Sequence, residues 1–329
     1  TLKKQKNILA LDIGSCSLKL AEAQIKETGL VLKKCQQFSL PIDKAVNADF
    51  LKSILQKSSL KNSKVIVSVQ GQGVILRYLI LPKVDKNELK GALKFELEKN
   101  IPFAIDDVFI DGQIIKPIDD KVLVLAVAAK KKFIQDYLNL LAKAEIYPEI
   151  IDCNCLALAN IFGNLAIENK KKSNALLNLG CNFTNLSILK DDIPLFNRDI
   201  PIGSSLLNKK ISDHLNISLN EAENLKLKPG DKINEIRQAC ESVWDDLIAE
   251  IKSSFDYFGN KEDVNIECVY LTGGLANFPE INKLFSQSFN IECKLLDPLS
   301  YFNKADDFDG SLMEGSSYFA VCLGLILRG

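Results

Sequence analysis

The sequence predicts an α/β protein of two related domains, each a small sheet with helices, and three observations carry that prediction. An apolar run, a glycine turn and a second apolar run occur at Asn7-Ile-Leu-Ala-Leu-Asp-Ile-Gly-Ser-Cys-Ser-Leu-Lys-Leu and recur at Ala175-Leu-Leu-Asn-Leu-Gly-Cys-Asn-Phe-Thr-Asn-Leu-Ser-Ile-Leu. Asp12-Ile-Gly14 and Asn178-Leu-Gly180 take matching places in the two halves, so a whole sheet-and-helix unit is repeated. At 329 residues, 47% hydrophobic and 25% charged, the chain is long enough for two domains with substantial cores.

The run from Asn7 turns at Gly14 and resumes near Ser17, which reads as a β-hairpin. A third strand over 30–40, an amphipathic helix over 48–57 and a strand over 65–69 follow. The stretch 73–149 then reads as a self-contained α/β insertion: a strand over 74–81, a helix over 86–100, strands over 108–115 and 121–128, a helix over 130–144 and a closing strand over 147–151. After the basic run Lys170 to Lys172 the order repeats, with the second hairpin, a third strand over 195–199, a helix starting at Ser204 or Ser205, and later a strand over 268–271. A second insertion, 218–260, is helical; its segments 221–227 and 233–258 are separated by Lys228-Pro-Gly-Asp, whose Pro and Gly break the pattern. The expected organisation is a first domain of 1–72 with 150–172 and 312–329, an inserted subdomain of 73–149, a second domain of 173–217 with 261–311, and a helical subdomain of 218–260.

With 41 basic and 42 acidic residues the net charge is -1, so no global field draws the protein to nucleic acid or to an anionic membrane. The nine cysteines lie in apolar runs rather than at framework spacings, which favours a reducing, cytoplasmic setting. Cys153 and Cys155 have no second Cys or His cluster beside them and read as small core residues rather than zinc ligands. The basic N-terminus leads into a short strand broken by Asp12, not into a signal-peptide core, and the apolar run over 122–129 is far short of a bilayer span. Membrane association is therefore expected to be peripheral.

A glycine turn between strands points several backbone N–H groups at one spot, a concavity suited to phosphate. The first turn offers Gly14, Ser15, Cys16 and Ser17, with Lys19 as a charge partner and Asp12 placed to hold Mg²⁺ through water. The second offers Gly180, Cys181, Asn182, Phe183 and Thr184. One such turn is an ordinary hairpin; two in register are not. A third site, Leu271-Thr-Gly-Gly-Leu-Ala-Asn-Phe-Pro-Glu, runs a strand into Gly273, Gly274 and Leu275, where backbone can approach a nucleotide closely, and then into a helix near Pro279.

These three motifs resemble the first phosphate, second phosphate and adenosine motifs of the actin, Hsp70 and sugar-kinase superfamily, in order and in spacing. Asp152-Cys-Asn-Cys-Leu-Ala-Leu-Ala-Asn is similar to the first connecting helix of that superfamily and Ser317-Tyr-Phe-Ala-Val-Cys-Leu-Gly-Leu to the second. Glu221-Ala-Glu-Asn-Leu-Lys226 is similar to the helix by which bacterial members hold ribose and purine, which implies roles for Glu223 and Lys226. Within the insertion, Val74-Ile-Leu-Arg-Tyr-Leu-Ile-Leu-Pro and Glu96-Leu-Glu-Lys-Asn-Ile-Pro-Phe-Ala-Ile-Asp-Asp-Val resemble the PilM family of type IV pilus assembly proteins, and the resemblance covers essentially the whole chain. It implies an actin-like (ribonuclease H-like) fold with an inserted subdomain of the type found in the division protein FtsA. It also implies binding of ATP or ADP with Mg²⁺, and a cytoplasmic scaffold peripheral to the inner membrane. The implied partners are the pilus platform proteins, above all the N-terminal tail of a PilN-like membrane protein, taken as an extended peptide in a groove beside the insertion.

Two departures bear on chemistry. Asn178 stands where the superfamily begins its second phosphate motif with Asp, which removes one of the two carboxylates that hold Mg²⁺ through water. Asn154 stands where hydrolases carry a longer Gln or Glu near the attacking water, and its amide cannot act as a base. At most slow ATPase activity is expected. A small-molecule kinase of the same superfamily would need an acceptor site with a general-base carboxylate, for which the sequence offers no candidate. An FtsA-like membrane-associated filament protein would carry an amphipathic helix beyond Leu327-Arg-Gly. His214 lies late in a helix with no cluster about it and reads as a capping or surface residue; Trp244 and Phe255 read as core; Lys130 to Lys132 and Lys170 to Lys172 read as solvated, with contact to anionic lipid headgroups the alternative.

Overall fold

The structure is a computed structural model and describes residues 7–27, 29–40, 46–55, 63–83, 86–165, 172–262, 264–313 and 315–329. Lys170 and Lys171 of the second basic run, and the last turn expected for the helix over 48–57, lie outside the described residues. The chain divides into two compact units, one of Thr1–Val46, Ser59–Ser68 and Pro148–Gly329, the other of Asn47–Ser58 and Val69–Tyr147.

The elements follow the expected order closely. The first hairpin is β1 (Asn7–Ile13) and β2 (Ser17–Lys26), followed by β3 (Gly29–Ser39), α1 (Ala48–Leu55) and β4 (Ser63–Val69). The insertion supplies β5 (Val74–Pro82), α2 (Lys86–Asn100), β6 (Val108–Ile118), β7 (Lys121–Lys130) and α3 (Lys131–Lys143). Then come β8 (Ile150–Cys153), α4 (Asn154–Asn164), β9 (Ser173–Leu179), β10 (Thr184–Lys190), β11 (Ile193–Ile200), α5 (Ser204–Leu215), α6 (Leu219–Leu227) and α7 (Ile233–Glu262). The chain ends with β12 (Cys268–Thr272), α8 (Ile281–Phe289), β13 (Glu292–Leu295), β14 (Asn303–Leu312) and α9 (Ala320–Ile326).

The repeat read from the sequence is a repeat of topology. One sheet runs β14-β3-β2-β1-β4-β8 and the other β11-β10-β9-β12-β13, so without β14 the two strand orders are the same. In each half the leading strand pairs antiparallel with its hairpin mate and parallel with the strand that returns later: β1 with β2 and β4, β9 with β10 and β12. The strand expected to close the insertion over 147–151 does not do so. It forms as β8 and takes the edge of the first sheet beside β4, led in by the Glu149 N–H donating to the Val65 carbonyl at 2.9 Å. Sheet membership is a long-range choice, and β8 fills the place that β13 fills in the other half.

The main core is built from apolar residues of both sheets and of α4 and α9. Both helices are apolar on nearly every side, as buried helices are. Cys155, Ala157, Leu158, Ala159, Ile161 and Phe162 of α4 are buried, and so is all of α9. A Cβ on Gly324 would overlap the Ala157 carbonyl, so glycine is what allows the two helix backbones to meet. Phe162 packs edge-on against Tyr270 of β12 with ring centroids 5.1 Å apart, and burial of one such side chain stabilises by about 1.5–3 kcal/mol. The long α7 buries Ile236, Cys240, Val243, Trp244, Leu247, Ile251 and Phe258 at helical spacing. Trp244 is core, as expected, against Phe278 and Phe285; Phe255 is half-buried, its ring on Phe289. Cys153 and Cys155 are buried, and His214 is exposed in the last turn of α5.

The second unit has its own core. The antiparallel sheet β5-β7-β6 presents Leu79, Leu81, Val122, Val124 and Ala126 to Leu89, Leu93 and Leu97, one stripe of α2. An ion pair between Lys52 of α1 and Glu145 beyond α3 lies in the same unit. Among the described residues no helix is long and apolar enough to cross a membrane.

Candidate functional site

The two glycine turns are copies of one another at the level of hydrogen bonds. In the first, the Gly14 N–H donates to the Ser17 carbonyl at 3.0 Å; in the second, the Gly180 N–H donates to the Phe183 carbonyl at 3.0 Å. The rung below each turn is a polar pair on the same register. Asp12 faces Lys19, with the ammonium 3.3 Å from the carboxylate and both side chains mostly buried. Asn178 faces Asn185, and its amide donates to the Asn185 carbonyl oxygen at 2.9 Å. The second half thus replaces an ion pair by an amide pair.

That amide pair extends into a ladder: the Asn185 amide donates to Asp199 of β11 at 2.6 Å, and Ser187 donates to Asn197 at 2.6 Å. The α5 N-terminus is docked on the second turn, with the Ser204 N–H donating to the Gly180 carbonyl at 3.0 Å and the Ser205 N–H to the Cys181 carbonyl at 2.9 Å. These helix N–H groups are therefore occupied by the turn itself. Thr184, expected as a phosphate ligand, is fully buried and its hydroxyl donates to the Ile202 carbonyl at 2.8 Å, so the side chain fixes the turn rather than facing out of it. Ser15, Cys16 and Asn182 are exposed, and Ser17, Cys181 and Phe183 are half-buried.

The third turn packs against the second. Gly273 has φ 88° and ψ 174°, a conformation essentially confined to glycine. A Cβ there would lie 2.6 Å from the Asn178 side-chain oxygen and 2.6 Å from the Leu179 carbonyl. The Gly273 N–H and the Thr272 hydroxyl both donate to the Ser317 carbonyl, at 2.9 and 2.7 Å, tying the turn to the segment that leads into α9. Leu275 is a core side chain, 1% exposed, while Gly274 is half-buried. A short 3-10 turn, Gly274–Asn277, follows Gly273, and α8 then starts at Ile281, just past Pro279. The first turn is joined to the second by a Cys16–Cys181 disulfide, with the Cα atoms 5.9 Å apart. The three glycine motifs, up to 259 residues apart, thus meet in one place.

On α6 the Lys226 ammonium is 1% exposed and donates to Glu223 at 2.7 Å and to the Asn208 carbonyl oxygen at 2.9 Å. The Asn208 amide donates back to the same Glu223 oxygen. Burial pushes the Lys226 pKa down and the Glu223 charge pulls it back up in part. The accessible member of the pair is Glu223; Lys226, expected to touch nucleotide, braces it from beneath. Asn154 is 4% exposed as the first residue of α4. Beside it the Cys155 thiol is pushed well up, by burial first and then by the charges of Cys153, Asp199 and Asp152. Asp152 in turn accepts from Arg328 at 3.1 Å.

Among the described residues no group of three or more His, Cys, Asp or Glu side chains could hold a metal directly. Asp12 is the carboxylate on the rung below the first turn, and Lys19 already faces it. Mg²⁺ commonly keeps several waters and takes one or two carboxylates plus substrate phosphates. These residues therefore fit a phosphate-borne ion held through water at Asp12, and they do not fit a metal site that exists without nucleotide. Asn185, Asp199 and Asn208 were not singled out from the sequence. Polar residues at alternate places in β10 and β11 were the available signal, but their partners depend on cross-strand register.

The chain matches the family described as type IV pilus assembly protein PilM over residues 10–329. It is similar to a solved PilM-PilN type IV pilus biogenesis complex, with a TM-score of 0.86 and 25% identity over 98% of this chain and 98% of that one. It is also similar to the ethanolamine utilization protein EutJ from Carboxydothermus hydrogenoformans, with a TM-score of 0.57 and 14% identity over 98% of this chain and 90% of that one. MreB 5 of Spiroplasma citri bound to AMPPNP gives a TM-score of 0.52 and 13% identity over 98% of this chain and 95% of that one. The last two likenesses concern the fold alone, which is the actin-like fold.

Proposed function

Because the chain belongs to the PilM family of type IV pilus assembly proteins, we propose that it is an ATP-binding scaffold of the pilus assembly platform that captures the cytoplasmic N-terminal tail of a PilN-like inner-membrane protein. The observation that carries the partner is the similarity to the PilM-PilN complex along nearly the full length of both chains. The protein works in the cytoplasm and reaches the inner membrane through that partner. Co-purification with candidate pilus inner-membrane proteins, followed by peptide mapping of the bound segment, tests this; capture of a cytoplasmic tail supports it, and its absence from the bound peptides counts against it.

Convergence of the three glycine turns supports the nucleotide part of the reading. ATP or ADP lies with its phosphates between Gly14 to Ser17 and Gly180 to Asn182, its base and ribose toward Gly274 and Glu223, and Mg²⁺ held through water at Asp12. Binding to both halves stabilises their closed arrangement, so nucleotide state becomes a conformational signal. Lys19 supplies a positive charge beside the phosphates. The amides of Asn154 and Asn178 cannot themselves act as a base toward an attacking water, and turnover is expected to be far below the ~10 per second typical of enzymes. Asp12→Ala is expected to weaken Mg·ATP binding roughly ten- to hundredfold, the cost of losing one charge-assisted contact; undiminished affinity by calorimetry would remove the assignment.

A further inference from the structure

Cys16 and Cys181 are 165 residues apart in sequence, yet both lie in the glycine turns, Cys16 after Gly14-Ser15 and Cys181 directly after Gly180, one in each half of the duplicated fold. Both turns are held from behind by backbone. The Cys16 carbonyl accepts from the Leu40 N–H at 2.9 Å, and the Cys181 carbonyl accepts from the Ser205 N–H at 2.9 Å. The two sulfurs therefore meet because the sheets that carry them present them to one another. The other seven cysteines are buried and unbonded, whereas Cys16 is exposed and Cys181 half-buried, so this pair alone is open to thiol–disulfide exchange.

The bond spans the place where phosphate would sit. Two N–H···O contacts on opposite sides of a phosphate occupy roughly 6 Å before the width of the phosphate itself is added. The Cα atoms of Cys16 and Cys181 are 5.9 Å apart. Closed by the bond, the turns leave no room for a phosphate between these two residues. In a reducing compartment such bonds are usually transient and redox-sensing rather than structural.

We propose that Cys16 and Cys181 form a redox latch on the nucleotide site: bonded, they hold the two phosphate turns together and exclude nucleotide; reduced, they let the turns part and admit it. The latch rests on the nucleotide reading of these turns. A low-molecular-weight disulfide of the glutathione type is the oxidant. One cysteine thiolate attacks it and forms a mixed disulfide, releasing one small thiol. The second cysteine thiolate then attacks the protein sulfur of that mixed disulfide and releases the other small thiol. Two protein thiols are oxidised, one small disulfide is reduced to two thiols, and both protons leave with them. By reciprocity, bound nucleotide must oppose formation of the bond by the same factor by which the bond opposes nucleotide.

ATP binding measured by calorimetry on the full chain, reduced with a phosphine or oxidised with glutathione disulfide, tests the latch, with the Cys16–Cys181 bond verified by peptide mass. Oxidation is expected to weaken ATP binding by about 5- to 150-fold, the ordinary range of site coupling, and a phosphine is expected to restore it. ATP should slow formation of the bond. The double variant Cys16→Ser/Cys181→Ser, which can neither close the bond nor stop at a mixed disulfide on the turns, should bind ATP with an affinity indifferent to the oxidant, whatever that affinity is. Equal ATP affinity in mapped oxidised and reduced wild type, or no bond between these two cysteines under oxidant, overturns the latch and leaves the nucleotide reading standing. Failure of ATP to bind the reduced wild type overturns the nucleotide reading and the latch with it.

Discussion

Gly273→Ala is the substitution on which the geometry of the site makes its sharpest demand. Two costs arise together: a φ of 88° with ψ of 174°, which an L side chain tolerates at about 1–3 kcal/mol, and a Cβ placed 2.6 Å from both the Asn178 side-chain oxygen and the Leu179 carbonyl. Relief of such overlap in packed surroundings costs about 1–3 kcal/mol. One backbone shift relieves part of both, so the terms do not simply add, and a loss of about 3 kcal/mol is expected. For a unit of this size that is roughly 6–12 °C in melting temperature. Thermal unfolding followed by circular dichroism, with ATP calorimetry on the same sample, reads both stability and site. The shift moves Asn178 and Leu179, on which the second turn stands, so ATP affinity should fall while the protein is still fully folded at the assay temperature. A stability loss below about 1 kcal/mol would show that the third turn is not wedged against the second, and the convergence of the three motifs would lose its physical basis.

Other substitutions test separate parts of the structure. Gly91→Ala, on an exposed position of α2 where an added Cβ meets nothing within 4 Å, should stabilise the inserted unit by about 0.5–1 kcal/mol in denaturant unfolding. Ser218→Ala removes the hydroxyl of the α6 capping box and should cost about 1 kcal/mol. The partner Glu221 is held below its ordinary value of 4.5 by the Ser218 hydroxyl and then by its backbone N–H; a depressed carboxyl contributes fully above the unfolded value and loses its contribution as pH falls through the folded one. The difference between wild type and Ser218→Ala should therefore shrink on acid titration below that range. Asn178→Asp places a carboxylate against the Asn185 oxygen, and an amide flip would only move the repulsion to Asp199. It should destabilise by about 1–3 kcal/mol without divalent ions and regain stability with Mg·ATP, as melting curves with and without Mg²⁺ would show.

The repeat was legible because its signal is local: an apolar run, a glycine and a second run, twice, with Asp12 and Asn178 at the same distance before the glycine. Helices α2, α3 and α7 were legible for the same reason, since spacing and breakers such as Lys228-Pro-Gly-Asp lie within one turn of the residues they control. What was not legible depends on pairing between distant segments. Nothing in Ile150 and Ile151 says which sheet β8 will join; a hydrogen bond to Val65 decides it. Thr184 and Lys226 look like ligands by type, yet their polar atoms are taken up by Ile202 and by Asn208 with Glu223. Cys16 and Cys181 stand in matching turns in the sequence, but only the docking of one half on the other brings their Cα atoms to 5.9 Å.

The scaffold reading stands or falls on the partner's tail. A fluorescently labelled N-terminal peptide of a PilN-like protein from the same organism, titrated with the full chain and read by anisotropy, tests it most directly. Such a peptide orders on binding and buries little area, so modest affinity is expected, with avidity added in the assembled platform. The account predicts saturable binding that tightens when ATP and Mg²⁺ are present under reducing conditions. Absence of binding at high micromolar protein with ATP and Mg²⁺ would contradict it.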